Sequence, residues 1–394
     1  MKQLSLLVIL ILMRFASSAQ PFTKQYIMSF HSCAYPACGT PQNHTVHLAE
    51  SDDAESWTLV NNFPSYTGSV PDVITRGQKL YIYTPGKVKR YDQNLNQWET
   101  NTSTVSVEDS IGNPVQFVDP SAFVNDAGLI CLFFLNSTGI AGDPAYCANP
   151  PCTAYFDSAI EVLGSDGTQF ILQTGHRISY TTNSNFKPTD PDIFQVGTTY
   201  HQYISYGTGT MVYASNQLHG TYTIQPSLPI GYLTTQNAGV PCGIFNPNTQ
   251  LIHSYGHRNG NIGTEISFAK HADFSSPPNY STSFSGQSIG LGNVQVASPG
   301  ICSNTFLSTS SSNELLKRYK TKLYPNPSHG NFTVQSDNEI VSYKIVDMYG
   351  KCLVSQQCVP NKLQTISVNA KPGLYILFCL QANNETTIYQ FRID

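Results

Sequence analysis

Four aspartates stand beside prolines in short apolar segments, where their carboxyl groups could bind or act on a polar ligand. They are Asp72, Asp119, Asp190 and Asp192. If their strands line one channel, the four carboxyl groups converge, some acquire raised pKa values, and together they could hold sugar hydroxyls or calcium. An aspartate next to proline can equally cap a tight turn through its own backbone. The sequence leaves both interpretations open.

The segments that carry these aspartates belong to a repeat. A proline-headed strand occurs four times, at residues 70–74, 118–123, 189–194 and 240–245, and each is followed by an aromatic or aliphatic strand. A third strand, a polar turn and a fourth strand complete a unit of roughly fifty residues, the size of a propeller blade. With an atypical first unit at 26–61, the pattern predicts five blades. Residues 292–297 are expected to supply the missing strand and close the ring.

Three basic side chains near the fifth repeat are further candidates for ligand binding. His253, His257 and Arg258 follow the last proline-headed strand and could join the aspartates. The alternative is a role at the surface or at the edge of the core.

The composition is that of a β-rich extracellular domain. Charged residues make up 12% of the 394 residues, the net charge is −4, and turn-forming residues are plentiful. Since no basic stripe exists to neutralise phosphates, nucleic acid is not an expected partner.

Ten cysteines in an exported chain favour disulfides over metal binding. Two copies of one spacing, Cys33 to Cys38 and Cys147 to Cys152, predict two short loops, each closed by its own bridge. Zinc is the competing interpretation, although no histidines stand at a convincing spacing. Cys131 is expected to be a buried thiol. Cys242 could pair with Cys302, and two of Cys352, Cys358 and Cys379 could pair with each other, but the sequence does not fix these connectivities.

Both ends of the chain carry targeting signals. Residues 1–19 have a positive start, a short apolar run and small residues before Gln20, the pattern of a signal peptide.

The C-terminal segment contains Leu323-Tyr324-Pro325-Asn326-Pro327, then Asp347-Met348-Tyr349-Gly350-Lys351, then Pro372-Gly373-Leu374-Tyr375. This order resembles the C-terminal sorting domain of the type IX secretion system of Bacteroidetes. The resemblance implies a small β-sandwich, export through the periplasm, and the secretion machinery as a partner.

The central repeats resemble the five-bladed propellers of arabinanase, β-xylosidase and levansucrase-like glycosidases, and more loosely those of sialidases. The resemblance rests on the strand and turn at 118–128 and on Val70-Pro71-Asp72-Val73. It implies a general base, an orienting aspartate and a general acid. Asp119 matches the orienting residue. No residue matches the base, and Asp190 or Asp192 would have to replace the glutamate acid. By the looser resemblance, a sialidase site would need three arginines on the substrate carboxylate, and the propeller offers only Arg76, Arg90, Arg177 and Arg258.

These observations predict an all-β chain with a five-bladed β-propeller followed by a small C-terminal β-sandwich. The predicted organisation is a signal peptide at 1–19, the propeller at 20–307, a linker at 308–320 and the sorting domain at 321–394. The protein is expected to be a secreted or outer-membrane surface monomer that binds extracellular carbohydrate. A glycoside hydrolase with a rearranged carboxylate site and a surface adhesion module are the alternatives. No cofactor is expected, apart from a possible calcium ion in the channel.

Overall fold

Strands and short turns make up nearly all of the structure, a computed structural model that describes residues 22–140, 142–228, 231–310, 322–326, 328–347, 352–382 and 386–394. Contacts divide the chain into two units, one up to Ser308 and one from Thr309. The predicted signal peptide, most of the predicted linker and residues 348–351 of the predicted sorting motif lie outside the described residues. Among the described residues, 3-10 turns lie at Ala37–Gly39, Pro41–Asn43 and Thr305–Ser310. No helix in the described part of the chain is long and apolar enough to cross a membrane.

The first unit contains five mainly antiparallel sheets that follow one another along the chain. Sheet 1 has β1 (Tyr26–Cys33), β2 (Thr45–Ser51), β3 (Thr58–Leu59) and β4 (Tyr66–Thr67). Sheet 2 has β5 (Asp72–Arg76), β6 (Lys79–Thr84), β7 (Lys87–Asp92), β8 (Gln97–Trp98) and β9 (Ser103–Thr104). Sheet 3 has β10 (Ser106–Glu108), β11 (Phe117–Val124), β12 (Ile130–Asn136), β13 (Cys152–Glu161), β14 (Gln169–Leu172) and β15 (Ile178–Thr182).

The remaining two sheets repeat the same connectivity. Sheet 4 has β16 (Thr189–Val196), β17 (Thr199–Tyr206), β18 (Gly209–Ser215), β19 (Thr223–Ile224) and β20 (Tyr232–Thr234). Sheet 5 has β21 (Gly239–Asn246), β22 (Leu251–Asn259), β23 (Thr264–His271) and β24 (Ser281–Phe284).

One late strand returns to sheet 1. Strand β25 (Gln295–Ser303) pairs antiparallel with β1, so that residues from both ends of the first unit share one sheet. The sequence predicted this closure but placed the strand at residues 292–297. The strand is longer and carries its proline at Pro299, which makes Ser298-Pro299-Gly300 the fifth copy of the proline-headed motif.

The proline-bearing strands, here called the central strands, contact one another in a closed cycle. Strand β5 contacts β11, and the cycle continues through β16, β21 and β25 back to β5. Apolar clusters fill the space between consecutive sheets, including the last and the first. In β6, Leu80 and Ile82 pack toward sheet 1, whereas Tyr81 and Tyr83 pack toward sheet 3. Because both faces of such a strand are buried, its sequence is a continuous apolar run rather than an alternating one.

The central strands define two ends of the first unit, the mouth and the far end. The mouth is the end at which the central strands begin, and the far end is where they turn back into the next strand. Ladder pairing puts the loop after β12 and the loop before β16 at the mouth, because Phe117 pairs with Asn136 and Thr189 pairs with Ser205. The hairpin between Arg76 and Lys79 lies at the far end.

The second unit is a separate sheet with its own core. Its strands are β26 (Lys322–Tyr324), β27 (Asn331–Asp347), β28 (Cys352–Ser367), β29 (Gly373–Gln381) and β30 (Thr386–Ile393). The order is β26-β27-β29-β30, and β28 also pairs with β27. Buried Phe332, Ile345, Leu377 and Phe391 belong to its core. These strands are assigned to one hydrogen-bonded sheet, so the predicted sandwich stays a prediction.

Both predicted loop disulfides are confirmed, Cys33 with Cys38 and Cys147 with Cys152. The sequence left a bridge between Cys242 and Cys302 open, and in the structure both are free thiols. These two thiols are buried in different apolar clusters, Cys242 between sheets 5 and 1 and Cys302 between sheets 1 and 2. In the second unit, the bridge that the sequence left open is also absent from the described residues, since Cys352, Cys358 and Cys379 are free thiols. Cys131 is a buried thiol, as expected.

Candidate functional site

The residue before each central proline adopts an unusual backbone conformation. All five have positive φ, with values of 46° at Val70, 53° at Asp119, 49° at Asp190, 46° at Val240 and 55° at Ser298. This region is unfavourable for residues with a side chain and most of all for valine, so the surrounding structure must impose it. The ladder register shifts at the motif in the strands that carry Asp119, Asp190, Val240 and Ser298. The five motifs therefore share the positive φ before proline, and four of them also share a bulge.

The five motifs surround a small central cavity. Residues before and after the prolines line it, and its water-accessible volume is about 20 Å³. A single water needs about 10–15 Å³ on this measure. The cavity thus holds about one water molecule, and a sugar ring could not enter it. Any larger ligand has to bind above this cavity, among the loops of the mouth.

Asp72 and Asp192 follow their prolines and are engaged by neighbouring backbone. Their side chains are buried, and the Ala122 N–H donates to Asp72 Oδ2 at 2.6 Å. In the same way, the Gly243 N–H donates to Asp192 Oδ2 at 2.8 Å. Ser121 occupies the equivalent position between them, where its Oγ accepts from the Ile193 N–H at 3.1 Å and donates to Asp192 Oδ1 at 3.2 Å.

These bonds give Asp72 and Asp192 a structural role in joining consecutive central strands. Burial raises the pKa of Asp72 to about 7. Burial also raises the pKa of Asp192 well above its usual range, and the charge of Asp72 raises it further. The sequence grouped both residues with the ligand-binding candidates. Ligand binding by these two residues stays a prediction, and the structure shows each of them accepting a backbone N–H from the next central strand.

Asp119 and Asp190 precede their prolines and remain partly accessible from the mouth. The Asp190 N–H donates to Asp119 Oδ2 at 3.4 Å, and the Thr189 hydroxyl donates to Asp190 Oδ2. Burial raises the pKa of Asp190 to about 6, with a further contribution from Asp143. Burial, together with the charges of Asp190 and Asp143, raises the pKa of Asp119 well above its usual range. These two carboxyl groups form the floor of the mouth.

Two loops meet above this floor. One lies between β12 and β13 and is closed by Cys147–Cys152, and the other precedes β16. The Lys187 N–H donates to Ala145 O at 2.8 Å, and the Cys147 N–H donates to Asn185 O at 2.7 Å. Asp143, in the first loop, is exposed and accepts from the Ala145 N–H at 2.9 Å. Backbone bonds therefore fix the two loops to each other.

An exposed aromatic pair stands on these loops. The rings of Tyr146 and Phe186 meet edge to face at 6.3 Å between centroids. Phe186 is 63% exposed and Tyr146 is 48% exposed. Beside them, Lys187 is buried, and burial lowers its pKa although the charge of Asp143 opposes the shift. The mouth therefore presents apolar ring surface next to carboxyl groups.

A histidine stack borders the opposite side of the mouth. The rings of His31 and His44 lie parallel at 4.1 Å. His31 Nδ1 accepts from the Val70 N–H at 3.3 Å. His44 Nε2 donates to Cys38 O at 2.9 Å, so its Nδ1 is free to accept from the Ser69 hydroxyl at 2.8 Å. Burial and the neighbouring imidazoles lower the pKa of His31 to about 3, so it is neutral near pH 7.

The three basic candidates near the fifth repeat separate in the structure. His257 pairs with Gly239 at the mouth end of β21 and interacts electrostatically with His31. Burial lowers the pKa of His257 to about 4. His253 is buried against Phe268, nearer the far end. Arg258 Nε lies 3.7 Å from Glu265 Oε1. Only His257 is brought close to the histidine stack.

Sequence reasoning missed the loop residues of the mouth, namely Asp143, Tyr146, Phe186 and Lys187. One signal could have found the first of them, because Asp143-Pro144 repeats the dipeptide of Asp119-Pro120 and Asp190-Pro191. Among the described residues, no group of three or more His, Cys, Asp or Glu side chains is arranged to hold a metal ion.

Comparisons with known proteins give different results for the two units. No curated protein matches the chain. Among solved structures, an endo-1,4-β-xylanase from Bacteroides thetaiotaomicron shares 11% identity at a TM-score of 0.42 and covers 65% of this chain and 90% of its own. A GH43_1 enzyme from Xanthomonas citri complexed with xylotriose shares 14% identity at a TM-score of 0.39, and the match covers 66% of this chain and 91% of the enzyme. A mutant α-L-arabinanase from Cellvibrio cellulosa shares 13% identity at a TM-score of 0.42, and the match covers 66% of this chain and 92% of the arabinanase. Likenesses this weak carry no argument about chemistry.

The second unit has a family match. Residues 322–393 match the family described as the secretion system C-terminal sorting domain. The match confirms the resemblance expected from the sequence and implies export to the cell surface or secretion. The C-terminal unit of this chain is therefore identified as a sorting domain of the type IX secretion system.

Proposed function

We propose that the first unit is a five-bladed β-propeller that binds extracellular glycan at its mouth, and that the sorting domain delivers it to the cell surface or outside the cell. The closed cycle of central strands and the apolar clusters between consecutive sheets support five blades. The secretion signal supports an extracellular ligand.

One observation carries the proposal, the exposed pair of Tyr146 and Phe186 beside the exposed Asp143 and the half-buried residues Asp119 and Asp190. The negative π-face of an aromatic ring attracts the polarised C–H groups of a sugar ring. Carboxyl oxygens of Asp119, Asp190 and Asp143 can accept hydrogen bonds from sugar hydroxyls. The mouth thus combines the two kinds of contact that a hydroxylated ring needs.

Hydrolysis is the second candidate, favoured by the raised pKa values of Asp119 and Asp190. A glycosidase needs one protonated carboxyl group and one ionised carboxylate on opposite sides of the scissile bond. Asp190, with its pKa of about 6, could donate a proton. Asp119 has a raised pKa as well, and Asp72 and Asp192 are engaged by backbone N–H groups. The ionised partner would therefore have to be Asp143 on the loop, which makes binding the better-supported function.

Phe186→Ala is expected to weaken glycan binding by about tenfold or more, since it removes an exposed ring whose loss leaves the core intact. The measurement is binding of the full exported chain to an array of arabinans, xylans, fructans and sialylated glycans, followed by titration of the strongest ligand. Ile224→Ala is the matched control, because Ile224 is also exposed but lies on β19, the edge strand of sheet 4, away from the two loops.

Equal affinities of Phe186→Ala and wild type would contradict the mouth as the binding site. The same preparations should release no reducing ends from any array glycan. If the wild-type chain releases reducing ends and Asp119→Asn does not, the protein is a glycoside hydrolase.

A further inference from the structure

A second cavity lies at the far end of the first unit, between sheets 2 and 3. Its water-accessible volume is about 430 Å³, and Trp98, Leu95, Lys79, Arg90 and Asp166 are among the residues that line it. Small-molecule sites commonly occupy about 300–1,000 Å³. The cavity is therefore large enough for a ligand, unlike the water-sized space at the centre of the mouth.

Strand pairing separates this cavity from the mouth. Lys79 pairs with Arg76 at the hairpin where β5 ends, and Trp98 pairs with Tyr91 beside the turn between β7 and β8. Asp166 lies in the turn between β13 and β14, which follows the far end of β13. The ligand of this cavity would contact none of the residues proposed for the mouth.

Both cations of the cavity are paired with carboxylates. Lys79 Nζ lies 2.7 Å from Asp166 Oδ2. Arg90 donates through Nε to Glu99 Oε1 at 2.8 Å and through a terminal nitrogen to the Asp166 carbonyl at 2.7 Å. The Tyr81 hydroxyl also donates to Asp166 Oδ1 at 2.7 Å. Each cation already faces a carboxylate, and the remaining carboxylate of the lining, Asp92, accepts from the Asn94 and Leu95 N–H groups. The cavity therefore offers no unpaired cation to attract an anionic ligand.

The remaining surface is apolar or carries neutral polar groups. Trp98 and the side chain of Leu95, which is 69% exposed, form apolar parts of the wall. Gln97, Thr100 and Asn101 supply amide and hydroxyl groups. An indole beside amides and hydroxyls suits a ring with apolar C–H groups and hydroxyls around its edge.

We propose that this far-end cavity is a second binding site, which takes a short uncharged sugar of one or two rings. The proposal is independent of the mouth site, since the two cavities share no residue. A chain with both sites could hold two glycans at opposite ends of the first unit.

The chain contains two tryptophans, and one of them, Trp98, lines the cavity. Its fluorescence emission can therefore be used to measure ligand binding at this site. Trp57 packs against Tyr255 between sheets 5 and 1, away from the cavity. Trp57→Phe in the full chain therefore leaves Trp98 as the sole indole. Titration with maltose, cellobiose, lactose and xylobiose is expected to give a saturable change in Trp98 emission with at least one of them.

Leu95→Arg in this background is expected to weaken the response about tenfold or more by filling the cavity from an exposed position. Phe186→Arg at the mouth is the matched control and should leave the Trp98 response unchanged. If Trp57→Phe does not fold, saturation-transfer NMR on the wild-type chain and on Leu95→Arg, with the same sugars, gives the same comparison.

Three results would overturn this proposal. They are no saturable response to any of the four sugars, a response that Leu95→Arg leaves intact, and an equal response to glucuronic acid or glucosamine. Failure of the mouth proposal would look different, because Phe186→Ala would then leave array binding unchanged while the Trp98 response persisted.

Discussion

Asp192→Ala is expected to lower the free energy of unfolding by about 3 kcal/mol, because it leaves the buried Gly243 N–H and the Ser121 hydroxyl without their carboxyl partner. Asp192→Asn should cost less than about 1 kcal/mol, since its amide oxygen can still accept from Gly243 and its amide nitrogen can donate to Ser121 Oγ. Denaturant unfolding of the two variants at one pH measures the difference. An alanine variant as stable as the asparagine variant would contradict a structural role for this carboxyl group.

The raised pKa of Asp72 predicts that the free energy of unfolding depends on pH. Its pKa is about 7 in the folded chain and 3.8 in the unfolded chain. Between pH 3.8 and about pH 7, the folded state therefore binds more protons than the unfolded state. Its contribution to stability is therefore present below about pH 4 and is lost as the pH rises toward 7. Asp72→Asn should remove that slope, which is at most about 1.4 kcal/mol per pH unit. Unchanged slopes in wild type and Asp72→Asn would show that Asp72 is not protonated in the folded chain.

Gly300→Ala is the second change with a large expected effect, a loss of about 3 kcal/mol. A Cβ at Gly300 would lie 2.7 Å from Asp72 Cα and 2.9 Å from Pro71 O, as well as against the Asp72 carboxyl group. This contact joins the strand that closes sheet 1 to the first strand of sheet 2. The clash is with backbone, so a side-chain rotation cannot relieve it.

Gly39→Ala is the matched control for this prediction. Nothing lies within 4 Å of a Cβ at Gly39, and the change should alter stability by less than about 0.5 kcal/mol. Thermal unfolding of the two variants beside wild type measures both effects. If Gly300→Ala unfolds at the same temperature as Gly39→Ala, the close approach of β25 to β5 is not needed for the fold.

Local patterns in the sequence were enough to predict the all-β class, the two loop disulfides and the sorting domain. Four of the five proline-headed strands were also found, because proline and the apolar run after it lie close together in the chain. The fifth was placed several residues early. Its pairing with β1 joins residues more than 260 positions apart, and only one large apolar residue, Ile301, follows its proline before Cys302.

The candidate site was only partly predictable for a different reason. Aspartates before proline, Asp119 and Asp190, face the mouth, whereas those after proline, Asp72 and Asp192, bond to the neighbouring strand. Adjacent residues of a strand point to opposite sides, and a bulge shifts that alternation locally. The sequence showed the dipeptides but not the bulge, so the two environments could not be distinguished. The loop residues Tyr146 and Phe186 meet only through folding.

Hydrogen exchange of the full chain with its strongest array glycan tests the central claim most directly, because it locates the bound ligand on the structure. The account predicts slower amide exchange in residues 137–151 and 183–188, the two loops that carry Tyr146 and Phe186, and loss of that protection in Phe186→Ala. Protection confined to other parts of the chain, or no glycan that binds at all, would contradict glycan binding at the mouth.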